Sequence, residues 1–158
     1  MQLIRGFQAV HLKKGMEEIY IDVANIFMET LGEKFKPLQV LYQKPENHIH
    51  RTIAGLNGKN VVGGLKYSYC DISNYFLIDC LAVSPNLWRN GIGKHLTTAL
   101  ENLALEKNVS GIKAQVNNDS VDFYSKLGYS VMDNQRVDVS NITWMSKLIS
   151  RKPSFITH

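Results

Sequence analysis

Gly91-Ile92-Gly93 stands between an apolar run, Tyr75 to Val83, and a helical pattern. A strand that feeds a glycine-bearing loop into a helix can build an anion site. The first amides of a helix have no intrahelical acceptor and lie on a dipole that favours negative charge. Glycine lets the backbone turn and approach a ligand with no Cβ in the way. Arg89 and Lys94 add positive charge beside those amides. The same residues also suit a plain turn that needs positive φ, so the loop alone leaves both readings open.

Asp79 is the second chemical position, the one charge inside the otherwise apolar Tyr75–Val83 run. A carboxylate there must face a cleft, be paired or be hydrogen-bonded, because burying it bare is costly. A structural ion pair or a solvent-facing strand residue accounts for it equally. His48 and His50 share a face if their segment is extended, but two imidazoles without further ligands make no metal site. Cys80 points to the strand face opposite Asp79 and is not read as a nucleophile. His95 is a helix residue beside the loop.

The elements that position these groups follow from spacing and punctuation. Gln2 to Val10 reads as a strand. Met16, Ile19, Val23, Ile26, Phe27 and Leu31 fall at helical intervals up to Gly32. The acidic residues on that helix, Glu17, Glu18, Asp22 and Glu29, either face a cationic substrate or form a solvated surface. Glu33 to Asn47 is broken by Pro37 and Pro45 and is the least legible segment. Thr52 to Leu56 is a strand, Asn57-Gly58 a hairpin turn, and Val61 to Tyr69 the returning strand. Asp71 to Asn74 turns into the Tyr75–Val83 strand. A helix runs from Gly91 to about Asn108, a strand from Ile112 to Val116 and a short helix from Asp119 to Leu127. Ser130 to Met132 and Ile142 to Leu148 close the sheet around a polar loop, Asn134 to Asn141. The fold class is α/β (α+β), a mixed and largely antiparallel sheet flanked by helices.

The chain has 158 residues, 44% hydrophobic and 20% charged, with two cysteines. That suits a single domain over residues 1–150 followed by a loose tail, 151–158. No apolar run is long enough to span a bilayer, and the N-terminus lacks a secretory layout. Two cysteines make no disulfide framework, so thiols in a reducing cytoplasm are expected. The net charge of +4 is scattered, not striped. This argues against a nucleic-acid binder and suits a polyanionic cofactor. Edge strands near the C-terminus leave monomer and homodimer open.

Downstream of the loop comes Val116-Asn117-Asn118-Asp119-Ser120, then Phe123-Tyr124-Ser125-Lys126-Leu127-Gly128-Tyr129. With the glycine loop, this order and separation resemble the GNAT superfamily of acyl-CoA-dependent N-acyltransferases, over roughly Val61 to Leu148. The first stretch is similar to the family's acetyl-CoA pyrophosphate loop, Arg/Gln-x-x-Gly-x-Gly/Ala after a strand ending in Val. The second is similar to its Asn…Phe/Leu-Tyr-x-Lys-x-Gly-Phe/Tyr segment. One departure stands out: Trp88 occupies the Arg/Gln position, and the arginine follows at Arg89. The loop amides suit phosphate all the same, but the side chain that usually joins them is missing from its place.

The resemblance implies an acetyl-CoA-dependent N-acetyltransferase acting on a primary amine, small molecule or peptide, by direct transfer in a ternary complex. It implies that backbone groups of Leu81, Ala82 and Val83 meet the pantetheine arm. Arg89, Asn90, Gly91, Ile92, Gly93 and Lys94 would then meet the pyrophosphate. Asn117 is implied in a cofactor contact, although the Asn-Asn-Asp-Ser run also suits a helix cap. Tyr124 is implied as acid for the leaving thiolate, a thiol and a phenol having pKa values of about 8.5 and 10. Its other reading is the core face of a short helix. Asp79 is implied to take the amine's proton or hold an ammonium. The region between the first two strands is implied to line the acceptor site. A non-catalytic GNAT-like module for acyl-CoA or a peptide is the alternative, motivated by Trp88.

Overall fold

Asparagine and glycine at 57 and 58 do turn the chain, but one residue later than their spacing suggests. The structure is a computed structural model and describes residues 6–32, 40–132 and 142–149. In it, β2 (Thr52–Asn57) and β3 (Asn60–Cys70) pair antiparallel, with Asn57 opposite Asn60. The two-residue loop is therefore Gly58-Lys59, and Gly58 alone of the pair has positive φ, 63°. That matches a hairpin turn whose first central position requires glycine.

The remaining elements are β1 (Phe7–His11), α1 (Glu17–Leu31), β4 (Tyr75–Val83), α2 (Ile92–Glu106), β5 (Gly111–Asn117), α3 (Val121–Lys126), β6 (Ser130–Val131) and β7 (Ile142–Leu148). The strand order is β1-β2-β3-β4-β5-β7-β6. The β1–β2, β5–β7 and β6–β7 pairs are antiparallel. β4 and β5 run parallel from Tyr75↔Gly111 to Ile78↔Ala114, which requires a crossover between them and explains why a helix intervenes. This is the mixed, mostly antiparallel sheet with helices expected from the sequence. Glu33 to Gln39, the loop 133–141 and the tail 151–158 lie outside the described residues, as do Gln2 to Arg5 of the first expected strand.

Two compact units make up the described chain. The first takes the residues up to Tyr67 and Asp79–Leu100. The second takes Ser68–Ile78 and the residues from Glu101 on. In the first, Tyr20, Val23, Ala24 and Phe27 recur at helical spacing on α1 and are buried with Leu41, Ile49, Ala54, Cys80 and Ala82. Consecutive glycines on β3 permit this packing. A Cβ on Gly64 would overlap Val23 of α1, and one on Gly63 would stand 2.8 Å from the Ala82 carbonyl oxygen. In the second unit the alternation on β5 buries Ile112, Ala114 and Val116, together with Tyr124, Tyr129 and Met145.

The His48–His50 segment is not extended. It forms two 3-10 turns, Pro45–Asn47 and Ile49–Arg51. The histidines therefore share no strand face: His48 stacks on Tyr20, ring centroids 6.4 Å apart, and His50 is exposed. Pro45 sets the first turn, since its fixed φ suits a helical start and not a strand.

Candidate functional site

β4 alternates as a half-buried strand should. Phe76, Ile78, Cys80 and Ala82 are buried, and Asp79 is exposed. After Val83 the Ser84 amide donates to the Val62 carbonyl (2.9 Å), and Pro85 opens a 3-10 turn, Pro85–Leu87. Trp88 is extended, Arg89 is left-handed (φ 71°) and Gly91 is left-handed again (φ 78°). The Asn90 side-chain amide donates to the Leu87 carbonyl at 2.9 Å, and the Trp88 indole N–H to the Val83 carbonyl at 2.8 Å. The loop is thus held by its own side chains.

The first helical hydrogen bond of α2 runs from the His95 amide to the Gly91 carbonyl, 3.1 Å. The amides of Gly91, Ile92, Gly93 and Lys94 therefore have no acceptor within the helix. Ile92, 1% exposed, pins this helix start into the core. The His95 ring lies edge-on to Phe7, centroids 5.9 Å apart. Arg89 and Lys94 are exposed. Four amides, the positive end of a helix dipole and two cations form a donor set suited to a doubly charged phosphate group.

Asp79 carries a carboxylate 3.5 Å from the Lys66 ammonium, with side-chain exposures of 36% and 14%. The exposed, ion-paired reading is the one the structure bears out for its surroundings. Sequence reasoning missed Lys66. The signal was available: counting back from the Asp71–Asn74 turn sets Cys70 against Tyr75 and hence Lys66 against Asp79. Cys80 faces the other way, and burial pushes its thiol up to about 12, which keeps it protonated and inert. His48 is held below its ordinary value, first by burial and then by Lys66.

Asn117 and Tyr124 belong to the second unit. Asn117 ends β5 opposite Ile142, is exposed, and makes no side-chain cap bond to the 3-10 turn Asn118–Ser120 that follows. Tyr124, 7% exposed, sits on α3 between two rings that meet it edge-on: Phe123 at 5.1 Å and Tyr129 at 5.3 Å. The amides of Leu127 and Tyr129 both donate to the Tyr124 carbonyl, and Gly128, at φ 94°, makes that return possible. Burial raises the Tyr124 phenol above its ordinary value. The Tyr129 hydroxyl donates to Glu101 (3.2 Å), and the Lys147 ammonium donates to Glu101 (3.0 Å) and to the Leu127 carbonyl (2.8 Å). Glu101 and Lys147 are far apart in sequence, and nothing local announces this brace. Among the described residues no group of three or more His, Cys, Asp or Glu is placed to hold a metal, and no helix is long and apolar enough to cross a membrane.

The model of the acetyltransferase (GNAT) family matches residues 16–129. No curated protein matches the chain. Among solved structures it is similar to Tetrahymena GCN5, at 17% identity over 90% of this chain and 96% of that one, TM-score 0.72. It is similar to a PaiA N-acetyltransferase from Thermoplasma acidophilum in complex with coenzyme A, at 20% identity over 90% and 98%, TM-score 0.71. The likeness to N-acetylglutamate synthase from Neisseria gonorrhoeae, complexed with coenzyme A and N-acetyl-glutamate, has 17% identity and TM-score 0.69. It covers 92% of this chain and 35% of that protein. At these identities the structures speak for the fold.

Proposed function

The chain belongs to the acetyltransferase (GNAT) family, and from that premise we propose that it moves an acetyl group from acetyl-CoA to a primary amine by direct transfer in a ternary complex. One observation carries the reading: four helix-start amides, Gly91 to Lys94, at the end of a loop fixed by Trp88 and Asn90. That donor set fits the pyrophosphate of coenzyme A. Leu81, Ala82 and Val83 would meet the pantetheine arm through their backbone, and Asn117 through its amide.

The cofactor supplies an acetyl thioester, and the chain's residues handle the protons. Tyr124 holds its proton through the physiological range, because burial raises the phenol. The same surroundings would raise a thiol too, so donor and leaving group stay matched. Asp79 is exposed, which suits holding an ammonium or taking a proton through water. Positioning the two reactants supplies several kcal/mol more. The acceptor is a small-molecule or peptide amine. The same proposal covers one catalytic domain over 1–150, a cytoplasmic location, a monomer or homodimer, and neither nucleic acid nor membrane as partner. The family match runs through both units.

Trp88 favours a second reading, a module that holds acyl-CoA without catalysis. The thermal midpoint with and without acetyl-CoA, followed by thiol release with an amine panel, separates the two. A ligand at a hundredfold excess over Kd adds about 2.7 kcal/mol, or roughly 5–10 °C for a chain of this size. A shift with amine-dependent thiol release supports the enzyme. A shift without release for any amine supports the module, and no shift at millimolar acetyl-CoA sinks both.

A further inference from the structure

Trp88 stands where the resemblance expects an arginine or glutamine, and the structure gives it a definite role. Its indole N–H reaches back five residues to the Val83 carbonyl, 2.8 Å, and closes the turn that contains Pro85–Leu87. The ring itself is 57% exposed, so it is not there to fill the core. Immediately after it, Arg89 adopts a left-handed φ of 71°, which costs a residue with a Cβ and persists only where its surroundings hold it. Asn90 adds the second clamp, with its side-chain amide 2.9 Å from the Leu87 carbonyl and 3.4 Å from that of Trp88. Gly91 then turns left-handed again and delivers the four free amides of Gly91–Lys94. The last residue of β4 and the residue just before the left-handed Arg89 are therefore tied together by one indole.

We propose that Trp88 is a positioning residue for the anion-binding amides, fixing the loop through its bond to Val83 where a charged side chain would otherwise contact the phosphate directly. This rests on the reading that the loop takes the pyrophosphate of coenzyme A. Trp suits such a role because its single donor sits on a rigid lever with two rotatable bonds, so little freedom is lost in making the bond. Binding of the anion is left to backbone amides, with Arg89 and Lys94 as flanking charges.

The test is calorimetric titration of the full chain with free coenzyme A, comparing wild type with Trp88→Phe, which keeps an aromatic ring and loses the donor. Loss of one neutral hydrogen bond predicts about three- to tenfold weaker coenzyme A binding, with the thermal midpoint of the unliganded chain nearly unchanged because the ring is exposed. Equal affinity in the two proteins overturns the role of Trp88 while leaving the cofactor reading intact. A wild-type chain that does not bind coenzyme A overturns the cofactor reading, and the inference with it. A second measurement stands whether or not Trp88→Phe folds. The chain has two tryptophans, so Trp144→Phe leaves the Trp88 indole as a single ¹H–¹⁵N signal. Slow exchange with solvent, in the free chain and with coenzyme A, is the expected result. Exchange as fast as that of a free indole overturns the proposal.

Discussion

Between Val83 and Lys94 the groups that would meet a ligand are backbone amides, and the side chains exist to hold that backbone. Around Tyr124 the order is inverted. There the proposed active group is a side chain, and other side chains hold it: two rings edge-on, and behind one of them the Glu101–Lys147 pair. The first construction depends on φ, ψ and loop closure, so a change of residue type matters there through the backbone it holds. The second depends on residue identity, because no backbone group can replace a phenol. Sites of these two kinds should fail differently when mutated.

The sharpest test of that contrast is Tyr124→Phe. Removing the proton donor should lower kcat by roughly 10²–10⁴-fold while coenzyme A affinity, read by titration, stays within error. An unchanged kcat would put Tyr124 outside the chemistry and reduce it to core packing. Since the phenol is raised above its ordinary value of about 10, its ionisation should cause no alkaline loss of kcat below that pH. The sign follows from the role: an acid must be protonated to act, and a raised pKa extends that range upward.

Gly91→Ala probes the backbone side of the contrast. Its left-handed φ of 78° costs a residue with a Cβ about 1–2 kcal/mol, so coenzyme A affinity should fall by up to about thirtyfold. Turnover at saturating acetyl-CoA should change little. A fall in kcat with affinity preserved would mean that the loop takes part in the chemical step. Lys147→Met should have the smallest effect. It leaves Glu101 bound to Tyr129 alone and strips a donor from the Leu127 carbonyl. The pair is only partly buried, so a loss of about 1 kcal/mol in unfolding free energy is expected by denaturant titration. A kcat effect larger than the stability effect would show that the brace also orients Tyr124.

The parts written in local chemistry were legible in the chain. β4 runs from Tyr75 to Val83 as its apolar run predicts, and α2 begins beside Gly91 because glycine punctuates it. Alternation along β4 already turned Asp79 away from Cys80. What stayed hidden depends on tertiary context. Arg89 has no left-handed preference, and the bonds made by Trp88 and Asn90 on either side of it fix the loop there. Tyr20 lies outside the apolar stripe that marks α1 in the sequence, yet it is buried and donates to the Leu41 carbonyl. His48 and His50 would share a face only in an extended segment, and a Pro-initiated pair of 3-10 turns leaves no periodic signal to decide that. Glu101 and Lys147 meet only after the chain has folded.

The two thiols stand in opposite circumstances, and this makes the chain its own clock. Cys80 lies buried on β4, with a thiol pushed up to about 12. Cys70 is half-buried at the end of β3, with a thiol lowered by the polar groups of Ser73 beside it. A thiol-labelling reagent added to the native protein should therefore tag Cys70 first and Cys80 only when β4 opens. The slow phase reads the opening free energy of the strand that carries Asp79 and Leu81–Val83. Acetyl-CoA, which carries no free thiol to consume the reagent, should lengthen that phase by a factor of one plus the ratio of its free concentration to Kd. The fast phase must be subtracted from any assay that counts free thiols as product.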